Sequence, residues 1–248
     1  MFTSANVSER RQATPGLAIS TVIFALRPST GSGRPTLWLP LVRRVRQPHL
    51  KMWALPGGPL GHDESLSDAA ARNLADTTGL SPRYLEQLYA FGGLDRSPGQ
   101  RLVSIVYWAL LQQDIAALAQ ESENVRWFRA DDLDELAFDH NEIVRYALWR
   151  LRNKMEYGSI AYNFLGPTFT LAQVREVYEA VLNRPLDPAN FRRQLRATVD
   201  IEPTDEFLQG GRHRPPRLYR YTGSDPAETP SDTNSVPSTT ESEHRSNS

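Results

Sequence analysis

The chain contains no cysteine, which excludes disulfides and thiolate zinc sites and suits a cytosolic protein. Lysine is almost absent as well. Lys51 and Lys154 are the only two, so arginine carries nearly all the positive charge. That bias reads as base composition rather than function. No apolar run is long enough to span a bilayer. The N-terminal stretch MFTSANVSERRQATPG has no apolar signal-peptide core, so a cytoplasmic location and no membrane partner are expected. From Gly223 to Ser248 there is no aromatic residue, and Ser, Thr, Pro, Asp and Glu dominate. Such a segment buries too little apolar surface to offset its ordering entropy, so a passive disordered tail is expected.

What remains is enough for one large domain or two small ones. The chain has 248 residues, of which 40% are apolar, and a formal net charge of −1. That charge names no partner but permits opposed local charges. Residues 1–14 read as a flexible N-terminus. Residues 15–138 read as strands interrupted by one helix: apolar runs at Gly16–Leu26, Thr36–Val42 and Leu102–Leu111, with a short one at Val125–Phe128. Pro40 marks its strand as an edge or bulge. Glu64 to Thr78 is the interrupting helix, with Leu66, Ala70 and Leu74 on one face.

The pattern turns helical after residue 138. Asp139 with Glu142 three positions on is expected to form a capping box, followed by Ile143, Ala147, Leu151 and Met155. This helix, residues 139–157, is expected to link two domains. Residues 158–222 form the second domain. Thr170 and Gln173 make another capping box, before a stripe of Leu171, Val174, Tyr178 and Val181. Asn183-Arg184-Pro185 breaks that helix. Asp187-Pro188 starts the next, Asp as cap and Pro at the first helical position. Phe191, Leu195 and Thr198 should face inward. A polar hairpin from Phe207 to Tyr221 follows, with Gly210-Gly211 near its tip. Helix, turn, helix and basic hairpin is the layout of a winged helix-turn-helix.

Between Arg184 and Arg220 lie eight arginines, His213 and five acids. The basic residues fall on the second helix (Arg192, Arg193, Arg196) and on the hairpin (Arg212, Arg214, Arg217, Arg220). Double-stranded DNA is the expected partner. A recognition helix reads bases near its N-terminus, where Asn190 and Arg192 sit. Arginines of a wing bind phosphate or enter the minor groove, and predict steep salt dependence.

Gly58, Glu64, Arg72, Gly79 and Leu80 stand at the spacings of the Nudix box, and Trp53-Ala54-Leu55-Pro56-Gly57-Gly58 resembles the strand that leads into it. In such a box the glycines let backbone approach a pyrophosphate, and helix carboxylates hold Mg²⁺. Here the three metal-binding positions read Asn73, Asp76 and Thr77. An amide and a hydroxyl do not supply the missing charge, so no catalytic residue and no bound metal are expected. Asp76 reads as an exposed helical acid, and Glu64 and Arg72 as residues pinning the loop to the helix.

A Nudix domain without its acids, followed by a winged helix, resembles the Nudix-related transcriptional regulators of NAD metabolism, the NrtR family. The resemblance covers most of residues 15–221. It includes Leu94 to Ser104, like the family's Arg-Asp-Pro-Arg loop, but with Ser97 and Gly99 in place of its Asp and second Arg. It also includes Phe169-Thr170-Leu171 through Tyr178-Glu179, and Asn190-Phe191-Arg192-Arg193. It implies an α+β protein: an N-terminal Nudix-like α/β/α sandwich, a C-terminal winged helix-turn-helix and a disordered tail. It implies a homodimeric repressor on a palindromic operator, responding to ADP-ribose or a related nucleotide and needing no cofactor. Arg44, Arg96 and Arg101 are then expected at the pyrophosphate and ribose, Gly57, Gly58 and Glu64 around the loop, and Trp53 and Phe91 at the adenine. Two rivals stay open. One is an active ADP-ribose pyrophosphatase using Glu64, Asp76 and an acid from Asp131–Glu135. The other is a module whose winged helix meets a protein.

Overall fold

The computed structural model describes residues 14–29, 33–82, 84–119, 121–157, 159–198, 200–209 and 215–223. The N-terminus through Ala13, the hairpin tip with Gly210, Gly211, Arg212, His213 and Arg214, and the tail from Ser224 lie outside the described residues.

The first half is built from β1 (Gly16–Pro28), β2 (Pro35–Arg43), β3 (Trp53–Ala54), β4 (Gly57–Pro59), α1 (Leu66–Thr78), β5 (Tyr84–Phe91), β6 (Leu102–Leu111), α2 (Gln113–Ala116) and β7 (Val125–Arg129). The sheet runs β3-β2-β1-β6-β5, with β4 on β1 and β7 on β2. Its centre is the parallel pair β1 and β6, in which Ser20 lies opposite Val106 and Val22 opposite Trp108. Parallel strands covered on both faces read as near-continuous apolar runs, and those two strands do so apart from the buried Ser20, Thr21 and Ser104. Ile23, Ala25, Ala109 and Leu111 point to α1 and α2. Val22, Phe24, Leu26, Val106, Trp108 and Leu110 point to the other side. The β1 ladder on β2 covers Pro35 to Trp38 and stops before Pro40, which has no N–H to give it.

The opposite face is covered by α3 (His140–Tyr157) and α4 (Leu171–Leu182). Ile143, Ala147, Leu151 and Met155 are fully buried along α3. They share one continuous core with Val174, Val177 and Val181 of α4 and with Leu195 of α5 (Pro188–Thr198). The second half is thus seated on the sheet through α3 and α4. A 3-10 turn over Ser159–Phe164 joins α3 to α4, and a hairpin of β8 (Ile201–Phe207) and β9 (Arg217–Tyr221) completes the chain. Backbone hydrogen bonds between Phe169 and Tyr219 tie that hairpin to the start of α4.

Local signals placed most caps correctly. Thr170 and Gln173 form the expected capping box, and Asn183 ends α4 in the left-handed region. Asp187 accepts from the backbone N–H of Asn190 at 2.7 Å at the start of α5. Three expectations need correction, and one strand is new. The box helix starts at Leu66, because Ser65 caps it in a box with Asp68, which leaves Glu64 in the loop. Asp139 forms no capping box, since its carboxylate is taken by Arg96. The hairpin begins at Ile201, earlier than Phe207. The edge strand β5 is an addition, and a register shift between Gln87 and Tyr89 breaks the alternation by which a strand is read.

Candidate functional site: an arginine-lined cavity and an arginine-bearing helix

A cavity of about 410 Å³ opens where β1, β4, the β5–β6 loop and the start of α3 meet. This is within the range of small-molecule sites. The β4 backbone forms one wall. A side chain on Gly57 would stand 2.6 Å from the Ile19 carbonyl oxygen, so this wall requires glycine. Its charged lining is Arg44 and Arg96, with His140 between elements and Phe138 beside them; among the described residues no acid lines it.

Each of these groups is held. Arg44 Nε donates to the Pro48 carbonyl at 2.8 Å, and its guanidinium lies 4.5 Å from the Phe138 ring centroid. Burial lowers the Arg44 pKa. Phe138 adopts a positive φ of 58°, rare for a bulky residue, and packs edge-on against His49. His140 is 7% exposed, and its Nδ1 accepts from the Leu55 backbone N–H at 2.9 Å. Burial pushes its pKa down to about 4, against the opposing Asp139 charge and with smaller contributions in the same direction from Arg96 and Arg44. The ring is therefore neutral at pH 7, with its proton on Nε2. Arg96 donates through Nε and Nη2 to the two Asp139 oxygens, both at 2.9 Å. Two cations, an imidazole N–H and a glycine backbone make a cavity for an anion.

Arg44, Arg96, Gly57 and Gly58 therefore meet in one site. Trp53, Glu64, Phe91 and Arg101 do not line it. Trp53 packs edge-on against Phe128. Phe91 joins Tyr89 and Tyr146 on the β5 side of the sheet. Arg101 closes the base of its loop by donating to the Gly92 and Gly93 carbonyls at 2.8 and 3.1 Å. Glu64 accepts from Arg72 Nε and Nη2 at 3.0 and 2.8 Å and from the Gly61 N–H at 2.6 Å, which pins the loop to α1. Sequence reasoning missed Phe138, His140 and the Ser20–Ser104 hydroxyl pair. That pair is 2.9 Å apart across 84 residues, and no local signal marks it.

The three altered box positions are engaged in the fold. Asn73 is buried behind Gly58 and donates to the Ile19 carbonyl at 3.2 Å, tying α1 to β1. Thr77 donates its hydroxyl to the Asn73 carbonyl at 2.7 Å. The Asp76 side chain is 70% exposed and lies 3.8 Å from Arg72. Among the described residues, no three His, Asp or Glu side chains gather as a metal site.

The second basic region is α5. Asn190, Arg192 and Arg193 are exposed on it, while Leu195 is buried and Phe191 packs edge-on against Tyr178. Arg193 donates to Asn190 Oδ1 at 2.7 Å. Arg196 lies on the same helix, its side chain outside the described set. On the hairpin, Arg217 donates to the Thr204 carbonyl at 2.7 Å and lies 3.6 Å from Asp205, and Arg220 lies 3.8 Å from Glu202. Arg212 and Arg214 lie outside the described residues. Among the described residues, no helix is long and apolar enough to cross a membrane.

Residues 18–147 match the NUDIX domain family, and residues 161–221 match the NrtR DNA-binding winged helix domain. The ADPR responsive transcriptional repressor NtrR of Acinetobacter baylyi is 35% identical over 222 residues, covering 86% of this chain and 84% of the relative. Shewanella oneidensis NrtR, in its crystal structure with a 27mer DNA, superposes with a TM-score of 0.71 at 30% identity, over 83% of this chain and 93% of that one. An ADP-ribose pyrophosphatase of Methanocaldococcus jannaschii is 29% identical over 111 residues, 44% of this chain and 66% of that protein. With both domains matched in the same order, and a 35% identical repressor aligned over 84% of its length, this chain belongs to the NrtR family.

Proposed function

We propose that this protein is a DNA-binding repressor of NAD biosynthesis or salvage genes, whose Nudix domain binds ADP-ribose or a related NAD-derived nucleotide without cleaving it. The observation that carries the reading is the pairing of an arginine-lined, acid-free cavity with box positions committed to packing. Mg²⁺ needs anionic oxygens at octahedral distances. Asn73 donates its amide N–H to the Ile19 carbonyl while its Oδ1 accepts from Arg72 Nη1 at 3.3 Å, Thr77 donates to the Asn73 carbonyl, and Asp76 points into solvent beside Arg72. This donor set does not fit a catalytic metal. The cavity retains what a sensor uses: Gly57 and Gly58 for close backbone approach, Arg44 and Arg96 for phosphate charge, and the neutral His140 as an N–H donor.

On the DNA side, the N-terminal half of α5 enters the major groove with Asn190, Arg192 and Arg193, and Arg196 follows on the same helix. The wing arginines Arg212, Arg214 and Arg217 approach the backbone or minor groove. Two copies bind a palindromic operator in the cytoplasm. Effector and operator are linked. A nucleotide that prefers the DNA-free conformation weakens operator binding by no more than its differential affinity. The relative's response to ADPR supports this effector.

A band-shift on DNA upstream of the organism's own NAD-synthesis genes, with and without ADP-ribose, tests the reading. Retardation relieved by ADP-ribose is expected. A shift that ADP-ribose leaves intact removes that effector, and no shift removes the repressor. Mg²⁺-dependent AMP release at ordinary enzyme rates, on the order of 1–10³ s⁻¹, would overturn the sensor.

A further inference from the structure

We propose that Asp139 is the internal competitor of the effector: it holds Arg96 in the ligand-free protein, and a diphosphate that takes over Arg96 releases the first turn of α3. The inference rests on the effector reading above and adds the residue that transmits it.

Three observations meet at this position. First, the Arg96 side chain is only 5% exposed yet lines the cavity, and its Nε–Nη2 edge is spent on Asp139. Second, Asp139 is where α3 begins. Its carbonyl accepts from the N–H groups of Glu142 and Ile143 at 2.9 and 3.2 Å, while its carboxylate does no capping. The next residue, His140, is fastened to Leu55, two positions before Gly57. Third, α3 reaches the DNA-binding half. Its 18 residues span about 27 Å. Near its far end Arg152 Nε donates to the Val181 carbonyl of α4 at 2.9 Å, and Leu151 and Met155 share a core with Val174 and Val177.

The two anions compete for one positive charge. A diphosphate in the cavity draws on Arg96, and meets the Asp139 carboxylate beside it. Each anion weakens the other's hold on Arg96, because buried like charges at short range oppose each other steeply. The closed pair therefore favours the seating of α3 that carries α4 and α5 in the DNA-binding arrangement. A diphosphate favours the opened pair. Linkage makes this reciprocal.

The test uses the full chain. Asp139→Asn removes the competing charge and keeps a residue suited to a helix N-cap. ADP-ribose, measured calorimetrically, should bind tighter by on the order of 10-fold. Operator affinity without effector should fall, and the factor by which saturating ADP-ribose weakens the operator should shrink towards one. Asp139→Glu keeps the carboxylate and should restore the wild-type factor, which a merely structural role would not require. An Asn variant with unchanged ADP-ribose affinity and an unchanged factor overturns the proposal. Should that variant not fold, hydrogen exchange of the wild-type Glu142 and Ile143 amides decides. Inorganic pyrophosphate or ADP-ribose should speed their exchange, and unchanged or slower exchange overturns the proposal. Pyrophosphate separates the two readings. If it shows the Asp139 effect and ADP-ribose does not bind, the effector assignment fails and the competitor stands. If neither anion binds, the competitor falls.

Discussion

Lowering the pH should destabilise this protein through His140. In the folded chain its pKa is pushed down to about 4 from 6.5, chiefly by burial. In the unfolded chain it returns to the ordinary value. Between these values the unfolded state binds a proton that the folded state refuses, so stability falls as pH falls from about 6.5 towards 4. Above that window both states are neutral and the group contributes no pH dependence. At pH 5 the unfolded chain gains RT ln[(1 + 10^1.5)/(1 + 10^−1)], about 2 kcal/mol, and the loss approaches about 3 kcal/mol below pH 4. The assay is urea unfolding of wild type and His140→Gln at pH 7, 6 and 5. Glutamine offers the Leu55 N–H an acceptor but does not titrate. Wild type should lose about 2 kcal/mol more than the variant between pH 7 and 5. Parallel losses in the two proteins would refute the account of a buried, neutral His140.

Gly57→Ala brings a methyl to 2.6 Å from the Ile19 carbonyl oxygen. It should cost about 1–3 kcal/mol in thermal or denaturant unfolding and weaken nucleotide binding in the same protein. Asp187→Ala removes the cap on the Asn190 N–H. A loss of about 1 kcal/mol is expected, with weaker operator binding because the proposed recognition helix begins there. Arg192→Ala and Arg193→Ala should each weaken operator binding. Where the arginine removed neutralises a phosphate, the slope of log K against log salt should become shallower by about 0.9. Unchanged slopes across a salt titration would show that these arginines do not face DNA.

The amino-acid sequence by itself determined the features whose energetics close within a few residues. The Thr170–Gln173 box, the Asp187-Pro188 helix start and the Asn183 break are local hydrogen-bond and φ/ψ choices, and each stands where the sequence places it. The two central strands announce themselves because a parallel pair covered on both faces tolerates little but apolar residues. The pinning of the loop by Glu64 and Arg72 follows from their fixed spacing. The tertiary structure alone decided which long-range partner wins. Asp139 has the sequence of a helix cap, yet Arg96, brought from 43 residues away, takes its carboxylate. A bidentate guanidinium pair gives the carboxylate two charge-assisted bonds to a full positive charge, more than backbone N–H groups at a cap offer, and no spacing rule reveals that the β5–β6 loop folds back there. The same holds for His140, seated on the Leu55 amide across 85 residues, and for Arg101, whose guanidinium closes its own loop and not the cavity. Side-chain chemistry fixes what a residue is able to hold, and the fold decides which of the competing groups comes within reach.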